Sequence, residues 1–479
     1  MNLPEISPAA PPRDDAAGAG KIYQAGTLRY TVRQIVALFA VLLCGDFCAM
    51  AFESIFGPFM PLYLKDFGAS STVIAILTTS SAGLMNLLFL PNLSMWTDRA
   101  RTRWGRRIPF LLWATPGAVA SLVLIAYAPD MAAGLHRTLP SAGIVPLATL
   151  TLGVLAVLVM LWHFFNMILV NVYNFLLRDV VPLELMPRFL ACFRLVGTAG
   201  HFVFQWFLYG HMMAHPKLLF LGLGLVFLAS YLAICARVRE GDYPPPPSER
   251  RGPRRSFVDY FREGLSVPLY RNYFLAYAVV LFGSSPVGPF LTLFARHSLG
   301  LSLDQMGKVT AWATLASACL FVPVGRLCER FNPFAVGLAS LALGAVVRVG
   351  AFFLVHGHAS WLVYSIAVTV PNVAWNLAVL SSTMVLFPPE KFGQFSSGLN
   401  VVGYGGLVLS SSLVGGFMDL VHDDYRMALL LSFSGHALAL IPLILVYRDW
   451  KRRGGPGGYV PPSPRTASEV RALPTPCAD

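Results

Sequence analysis

Long apolar segments recur twelve times along this chain, each close to or above the ~20 residues that a helix needs to cross a ~30 Å hydrocarbon core. Backbone amides in lipid must find partners inside their own segment, so runs of this kind fold as helices. The spans read as 33–63, 72–96, 108–128, 144–177, 188–213 and 217–236, then 271–296, 305–327, 334–356, 360–387, 392–418 and 425–447. Of 479 residues, 56% are hydrophobic and 13% charged, whereas a soluble domain carries roughly a quarter charged. The spans follow one another too closely to leave room for such a domain. The fold class is therefore all-α, a polytopic membrane protein with twelve transmembrane helices.

The net charge of +12 is spread over short loops and does not gather on one basic face, which argues for membrane topology and against a nucleic-acid partner. Arg99, Arg101, Arg103, Arg106 and Arg107 follow helix 2, a second group including Arg237, Arg239 and Arg250 lies between the halves, Arg326 and Arg330 follow helix 8, and Arg448 to Arg453 follow helix 12. All fall on one side, so both termini are expected in the cytoplasm and the chain in the cell membrane. Pro244 to Pro247 mark a linker that cannot bury a core. The expected organisation is a disordered tail (1–32), a six-helix bundle (33–236), a linker (237–270), a second bundle (271–447) and a disordered tail (448–479). The seven cysteines are scattered, with neither a disulfide framework nor zinc-ligand spacing.

The most specific motif runs from Trp96 through Asp98, Arg99, Arg103, Trp104, Gly105, Arg106 and Arg107 to Pro109 and Phe110. Here the sequence resembles the major facilitator superfamily, and within it the glycoside-pentoside-hexuronide:cation symporters and the sucrose symporters. Arg178-Asp179 resembles the inner end of helix 4 in the same families. The resemblance implies two pseudo-symmetric bundles around a midplane cavity, and a cytoplasmic gate of Asp98, Arg99, Arg103, Arg106, Arg107 and Asp179. In that gate Arg99 or Arg103 would meet Asp179, and Asp98 would face the start of helix 11 near Phe392. The same arginines read equally as products of the positive-inside rule.

An ionisable side chain in hydrocarbon costs at least ~2.5–3.5 kcal/mol, so each needs a compensating reason. Asp46 and Glu53 lie on one face of helix 1, two turns apart, and are candidates for cation coupling, although Glu53 also reads as an outer-end residue reaching water. Arg194, Thr198, His201 and Gln205 make one polar stripe on helix 5; His201 is a third coupling candidate, and a neutral, hydrogen-bonded histidine is its simpler reading. Arg194 is as readily a structural partner of Asp179 or Glu184. Asn166, Asn171, Gln205, Asn372, Trp375, Asn376, Asn400 and Tyr404 are candidates for a solute cavity. Amides suit the hydroxyls of a sugar, and aromatic faces suit its C–H surface; the same residues also serve to hold membrane helices together. Arg348 in helix 9 falls inside the span, and reads as structural, either snorkelling outward or turning in to an acid such as Asp46.

No phosphate-binding Gly loop, serine nucleophile motif or His-Glu-x-x-His site occurs, so neither an ATP-driven motor nor an enzyme, cofactor or metal is expected. The reading is secondary symport of a sugar or glycoside by a monomer, driven by H⁺ or Na⁺. Acids resembling the melibiose-type cation site would sit on helix 2, where the sequence has Thr78, Thr79, Ser80, Ser81 and Asn86, so H⁺ is preferred. A facilitator or exporter of another metabolite, drug or lysolipid, and a non-transporting receptor or membrane enzyme, stay open.

Overall fold

The structure, a computed structural model, describes residues 22–138, 145–241, 265–388 and 392–462. The first half comprises α1 (Val32–Asp66), α2 (Ser71–Arg99), α3 (Ile108–Thr138), α4 (Leu147–Val180), α5 (Met186–Val203, continued through Phe204–Leu208) and α6 (Pro216–Arg237). The second comprises α7 (Pro268–Ser298), α8 (Leu303–Phe331), α9 (Pro333–Leu354), α10 (His358–Leu386), α11 (Phe392–Leu420) and α12 (Met427–Arg452). Among the described residues, eleven of these helices are long and apolar enough to cross a bilayer. The other is α5, whose polar stripe lowers its hydropathy.

Several helices outrun their apolar spans. α3 reaches Thr138 and α12 reaches Arg452, because hydropathy marks the length in lipid while the helix continues until something caps it. α1 starts at such a cap: Thr31 Oγ1 accepts the Gln34 amide at 3.4 Å, and Gln34 Oε1 accepts the Thr31 amide at 2.8 Å. The expected disordered tail is corrected in part. β1 (Tyr23–Ala25) and β2 (Leu28–Tyr30) pair as a hairpin whose two-residue turn uses Gly26 at φ +58°, and Leu28 and Tyr30 pack on the apolar core. Residues 1–21, the centre of the linker (242–264) and 463–479 lie outside the described residues.

The halves repeat one packing scheme with an offset of six helices. α1 packs on α5 and α6, α3 on α4 and α6, and α2 on α4; likewise α7 packs on α11 and α12, α9 on α10 and α12, and α8 on α10. Since lipid is as apolar as a leucine, tight packing between small residues takes over as the adhesive. At the α7–α12 crossing, a Cβ on Gly283 would stand 2.6 Å from the Gly435 Cα. Between the halves, α2 meets α11, α5 meets α8, and α1 meets α7.

The helices that surround the molecular axis are irregular. π-helical turns interrupt α2 at Ile76–Ser80, α5 at Phe204–Leu208 and α7 at Phe294–Ser298. α7 also breaks between Ser284 and Gly288, where Pro286 and Pro289 cannot sustain the ladder. Pro58 and Pro61, by contrast, are absorbed within a continuous α1.

The two halves are joined at the end opposite the arginine-rich loop. Asp419 of α11 accepts the backbone amides of Ser71 (2.7 Å) and Thr72 (3.0 Å) and the Thr72 hydroxyl (2.6 Å), so it caps the N-terminus of α2 from the other bundle. Lys65 and Ser71 each donate to Asp423 at 2.6 Å. Gly415 makes this approach possible: a Cβ there would lie 2.6 Å from the Thr72 Cα and 2.9 Å from the Ser71 carbonyl. Towards the arginine-rich end Leu195 of α5 and Val322 of α8 are more than 60% exposed.

Burial alone would raise the Asp423 carboxyl, but the hydrogen bonds from Lys65 and Ser71 and the ammonium charge outweigh it and hold the pKa below the usual value. A depressed carboxyl contributes its full stabilisation above the usual aspartate value of ~3.9 and loses it as pH falls through the lowered one. With spin labels at Ser70→Cys and Asp424→Cys, the closed-end distance should therefore be constant from pH 8 to pH 5. Gly415→Val, which places carbons on the α2 backbone, should lengthen and broaden it at every pH; an unchanged distance would contradict this account of closure.

Candidate functional site

Glu240, just past the end of α6, fixes the base of the arginine loop. Its carboxylate accepts the amides of Arg106 (2.9 Å) and Arg107 (2.7 Å), which lead into α3, and of Ile108 (2.8 Å), the first residue of α3, whose N–H no carbonyl within the helix can reach. Asp179 at the end of α4 receives two hydrogen bonds from Arg106 (2.7 and 3.1 Å) and one from Arg107 (3.2 Å). Arg107 also donates to Asp98 at 2.6 Å and to the Thr97 hydroxyl, and lies over the Phe175 ring. The motif thus ties α2, α3, α4 and α6 together.

The expected pairing is corrected in two respects. Asp179 is held by Arg106 and Arg107, which sit beside it at the start of α3; Arg99 is exposed and Arg103 stacks on Trp104. Asp98 does not reach α11 but turns to Arg106 and Arg107 of its own half.

Between the bundles lies a cavity of about 930 Å³. All three π-turns open onto it, through Thr78 and Thr79 of α2, Gln205 of α5 and Ala295 of α7, as does the break in α7 through Ser284 and Ser285. An unwound turn exposes polar backbone, which is tolerated at membrane depth only where it borders such a space. Asn372, Trp375 and Asn376 of α10 line the opposite wall with Arg348 of α9. A second cavity of about 360 Å³ holds Asp46 and Glu53 of α1, Asn174 of α4 and Arg194, Thr198 and His201 of α5.

His201 borders both cavities. Its Nδ1 is 2.5 Å from the hydroxyl of Ser54, which itself donates to the Met50 carbonyl. The imidazole proton therefore sits on Nδ1, and Nε2 accepts from Gln205 Nε2 at 3.4 Å. Gln205 is buried and its Oε1 has no partner. Asp46 is 2% exposed, and its Oδ2 has no donor. Gly197 permits this position, because a Cβ there would be 2.7 Å from Asp46 Oδ2. Arg194 lines the same cavity as Asp46 and Glu53, whereas Asn166, expected among the cavity residues, lines neither space.

Asp46, Glu53 and His201 are thus brought together, and Gln205, Asn372, Trp375 and Asn376 line the larger cavity. Four more expectations are corrected. Asn171 donates to Met167 O at 2.7 Å and faces Asn86 at 3.5 Å, a bond between α4 and α2. Asn400 is exposed, and neither it nor Tyr404 lines a cavity; α11 there follows α2 closely, its Tyr404 carbonyl at Gly83. Arg194 does not pair with Asp179, which Arg106 and Arg107 occupy. Arg348 neither snorkels nor meets Asp46: it is buried and donates to Ser432 Oγ (2.8 Å), Gly344 O (3.1 Å) and Asn372 Oδ1 (2.9 Å). Sequence reasoning missed Glu240, Asp419 and Asp423, whose partners are far away in the chain and leave no local pattern.

Two six-helix bundles that repeat one packing scheme around a shared cavity have the organisation of a membrane transporter. The chain belongs to the Major Facilitator Superfamily, whose sequence profile matches residues 42–411. No curated protein matches the sequence significantly. Similar crystal structures include a bacterial homologue of the human lysosomal transporter Spinster, inward-facing and unoccupied (TM-score 0.67, 14% identity, covering 88% of this chain and 99% of that one). A mutant of the nucleoside transporter NupG gives TM-score 0.67 at 11% identity, covering 86% and 100%. A bacterial homologue of the iron transporter ferroportin gives 0.63 at 17% identity in its inward-facing state, covering 87% and 99%.

Replacing Glu240 with Gln removes the charge from three capping hydrogen bonds, at a cost of about 1–2 kcal/mol. The midpoint of thermal unfolding in detergent should fall, and Arg107→Ala should lower it further by leaving Asp98 and Asp179 short of a partner. No change in Glu240→Gln would show that the cap carries no stability.

Proposed function

We propose that this protein is a secondary active symporter of the cell membrane that carries a hydroxylated solute of the sugar or glycoside kind by alternating access. Both termini are assigned to the cytoplasm from the arginine-rich loops, and the arginine-rich end then faces inward. The structure would then be the inward-facing state, with the Asp419 and Asp423 contacts holding the outside shut. The observation that carries this reading is His201, which touches the acid-lined cavity on one side and the Gln205 wall of the larger cavity on the other.

In this mechanism Asp46 takes or gives the coupling proton, changing the charge of the small cavity by one unit, with Glu53 as its neighbour. His201 enters this cycle neutral, with Nε2 accepting from Gln205, so proton transfer to Nε2 alters that hydrogen bond and hence what Gln205 offers a solute. Asn372, Trp375 and Asn376 supply amides and an aromatic face, the donor and acceptor mixture that sugar hydroxyls require. The arginine loop acts as the cytoplasmic gate when the bundles rock together, with Asp98 exchanging its present partners for α11.

Purified protein in liposomes, given radiolabelled sugars under an imposed pH or Na⁺ gradient, tests the reading. Accumulation should require the pH gradient. Asp46→Asn should abolish accumulation while leaving solute exchange at equal pH. Accumulation driven by Na⁺ alone would replace the proton in this scheme, and equilibration without any gradient would make the protein a facilitator. Saturable binding without flux would point to a receptor, and product formation to an enzyme.

A further inference from the structure

Arg348 is a buried cation in the wall of the central cavity, 4% exposed, and no carboxylate pairs with it among the described residues. A guanidinium has five N–H groups. Three are used, all on neutral oxygens: Nε to Ser432, one Nη1 proton to the Gly344 carbonyl, and one Nη2 proton to Asn372. These contacts fix the orientation of the group from three helices, α9, α10 and α12, without neutralising it. One proton on each terminal nitrogen is left, the pair with which arginine grips a carboxylate or phosphate.

The surroundings favour the same kind of guest. Asn372 presents its oxygen to Arg348, so its NH₂ group is left as a donor. His436 uses Nδ1 on the Ser432 carbonyl at 2.8 Å, and Trp361 and Tyr364 stand in the same wall, so among the described residues no anion balances the charge there. Across the cavity Gln205 Oε1 is a buried acceptor without a partner, which suits a hydroxyl at the far end of the same molecule.

We propose that Arg348 is an anion subsite, and that the solute is a small hydroxylated organic acid whose carboxylate or phosphate monoester rests on Arg348 while a hydroxyl reaches Gln205. This rests on the central cavity being the solute site, as argued above. Arg348 supplies the charge, Ser432 and the Gly344 carbonyl position it, and Asn372 serves both ends of the contact.

The test reads charge in the cavity without knowing the solute. Asn376→Cys, one turn from Asn372, is introduced into protein lacking Cys477 and the cysteines that are exposed among the described residues, Cys44, Cys192 and Cys319. Its labelling rates are compared for a negatively charged sulfonatoethyl and a positively charged trimethylammonium-ethyl methanethiosulfonate. The ratio of anionic to cationic rate should fall about tenfold in Arg348→Gln. It should fall similarly in Asn372→Asp, where the new carboxylate neutralises an intact Arg348, and should persist in Arg348→Lys. A ratio unchanged by both neutralising variants overturns the proposal.

Protection of the same cysteine from uncharged methyl methanethiosulfonate then separates the two head groups. Gluconate protecting better than sorbitol indicates a carboxylate site, glycerol 3-phosphate protecting better indicates a phosphate site, and sorbitol protecting as well as either overturns the anion subsite. Because these measurements need no flux, a protein that accumulates neutral sugars but shows no Arg348-dependent ratio retains the transport reading and loses this one. A protein with the ratio but no flux does the reverse.

Discussion

The cost of leaving a polar or charged group in hydrocarbon governs this structure. Each backbone amide must be satisfied within its helix, and each ionisable side chain that enters the span must find a partner or a wet surface. Asp46, Glu53, Arg194, His201, Gln205 and Arg348 all meet that demand by facing the space between the bundles. The same demand explains the irregular helices. A π-turn facing lipid would strand carbonyls, but α2, α5 and α7 carry theirs on the axis, where the cavity receives them. Polar side chains and loosened backbone therefore coincide, and their coincidence makes the site.

Much of the architecture was legible because its causes are local. Twelve apolar spans are a property of consecutive residues, and they yield the helices of the fold. The stripe on α5 was legible too, since the spacing from Arg194 to Gln205 is set by helix geometry alone. What escaped was long-range. Nothing near Glu240 announces that it caps α3, and nothing near Asp419 announces that it caps α2 of the other bundle. Asn171 shows the converse: an amide in a span looks the same in sequence whether it lines a cavity or joins two helices, and only the rotation of α4 decides. Arg348 was visible as an anomaly, but nothing in the span around it shows that its side chain reaches the cavity.

The two ends of the molecule are built on different principles. At the closed end, backbone meets backbone at Gly415 and Thr72, and carboxylates of one half hold two amides, two hydroxyls and an ammonium of the other. At the other end Arg106 and Arg107 pair with Asp98 and Asp179 of their own half, and Glu240 of that half holds their backbone amides. That half can therefore move as a rigid piece without stranding a charge, which is what rocking of one bundle against the other demands.

The position of His201 has a further thermodynamic consequence. In the symport mechanism proposed above, His201 would couple the occupants of the two chambers whose walls it shares, and coupling free energies are reciprocal. Whatever factor a filled central chamber applies to proton affinity in the small one, protonation must return to the solute's affinity by the same factor. Such a device transmits information in both directions with one imidazole and one amide, and needs no rearrangement of the helices to do so.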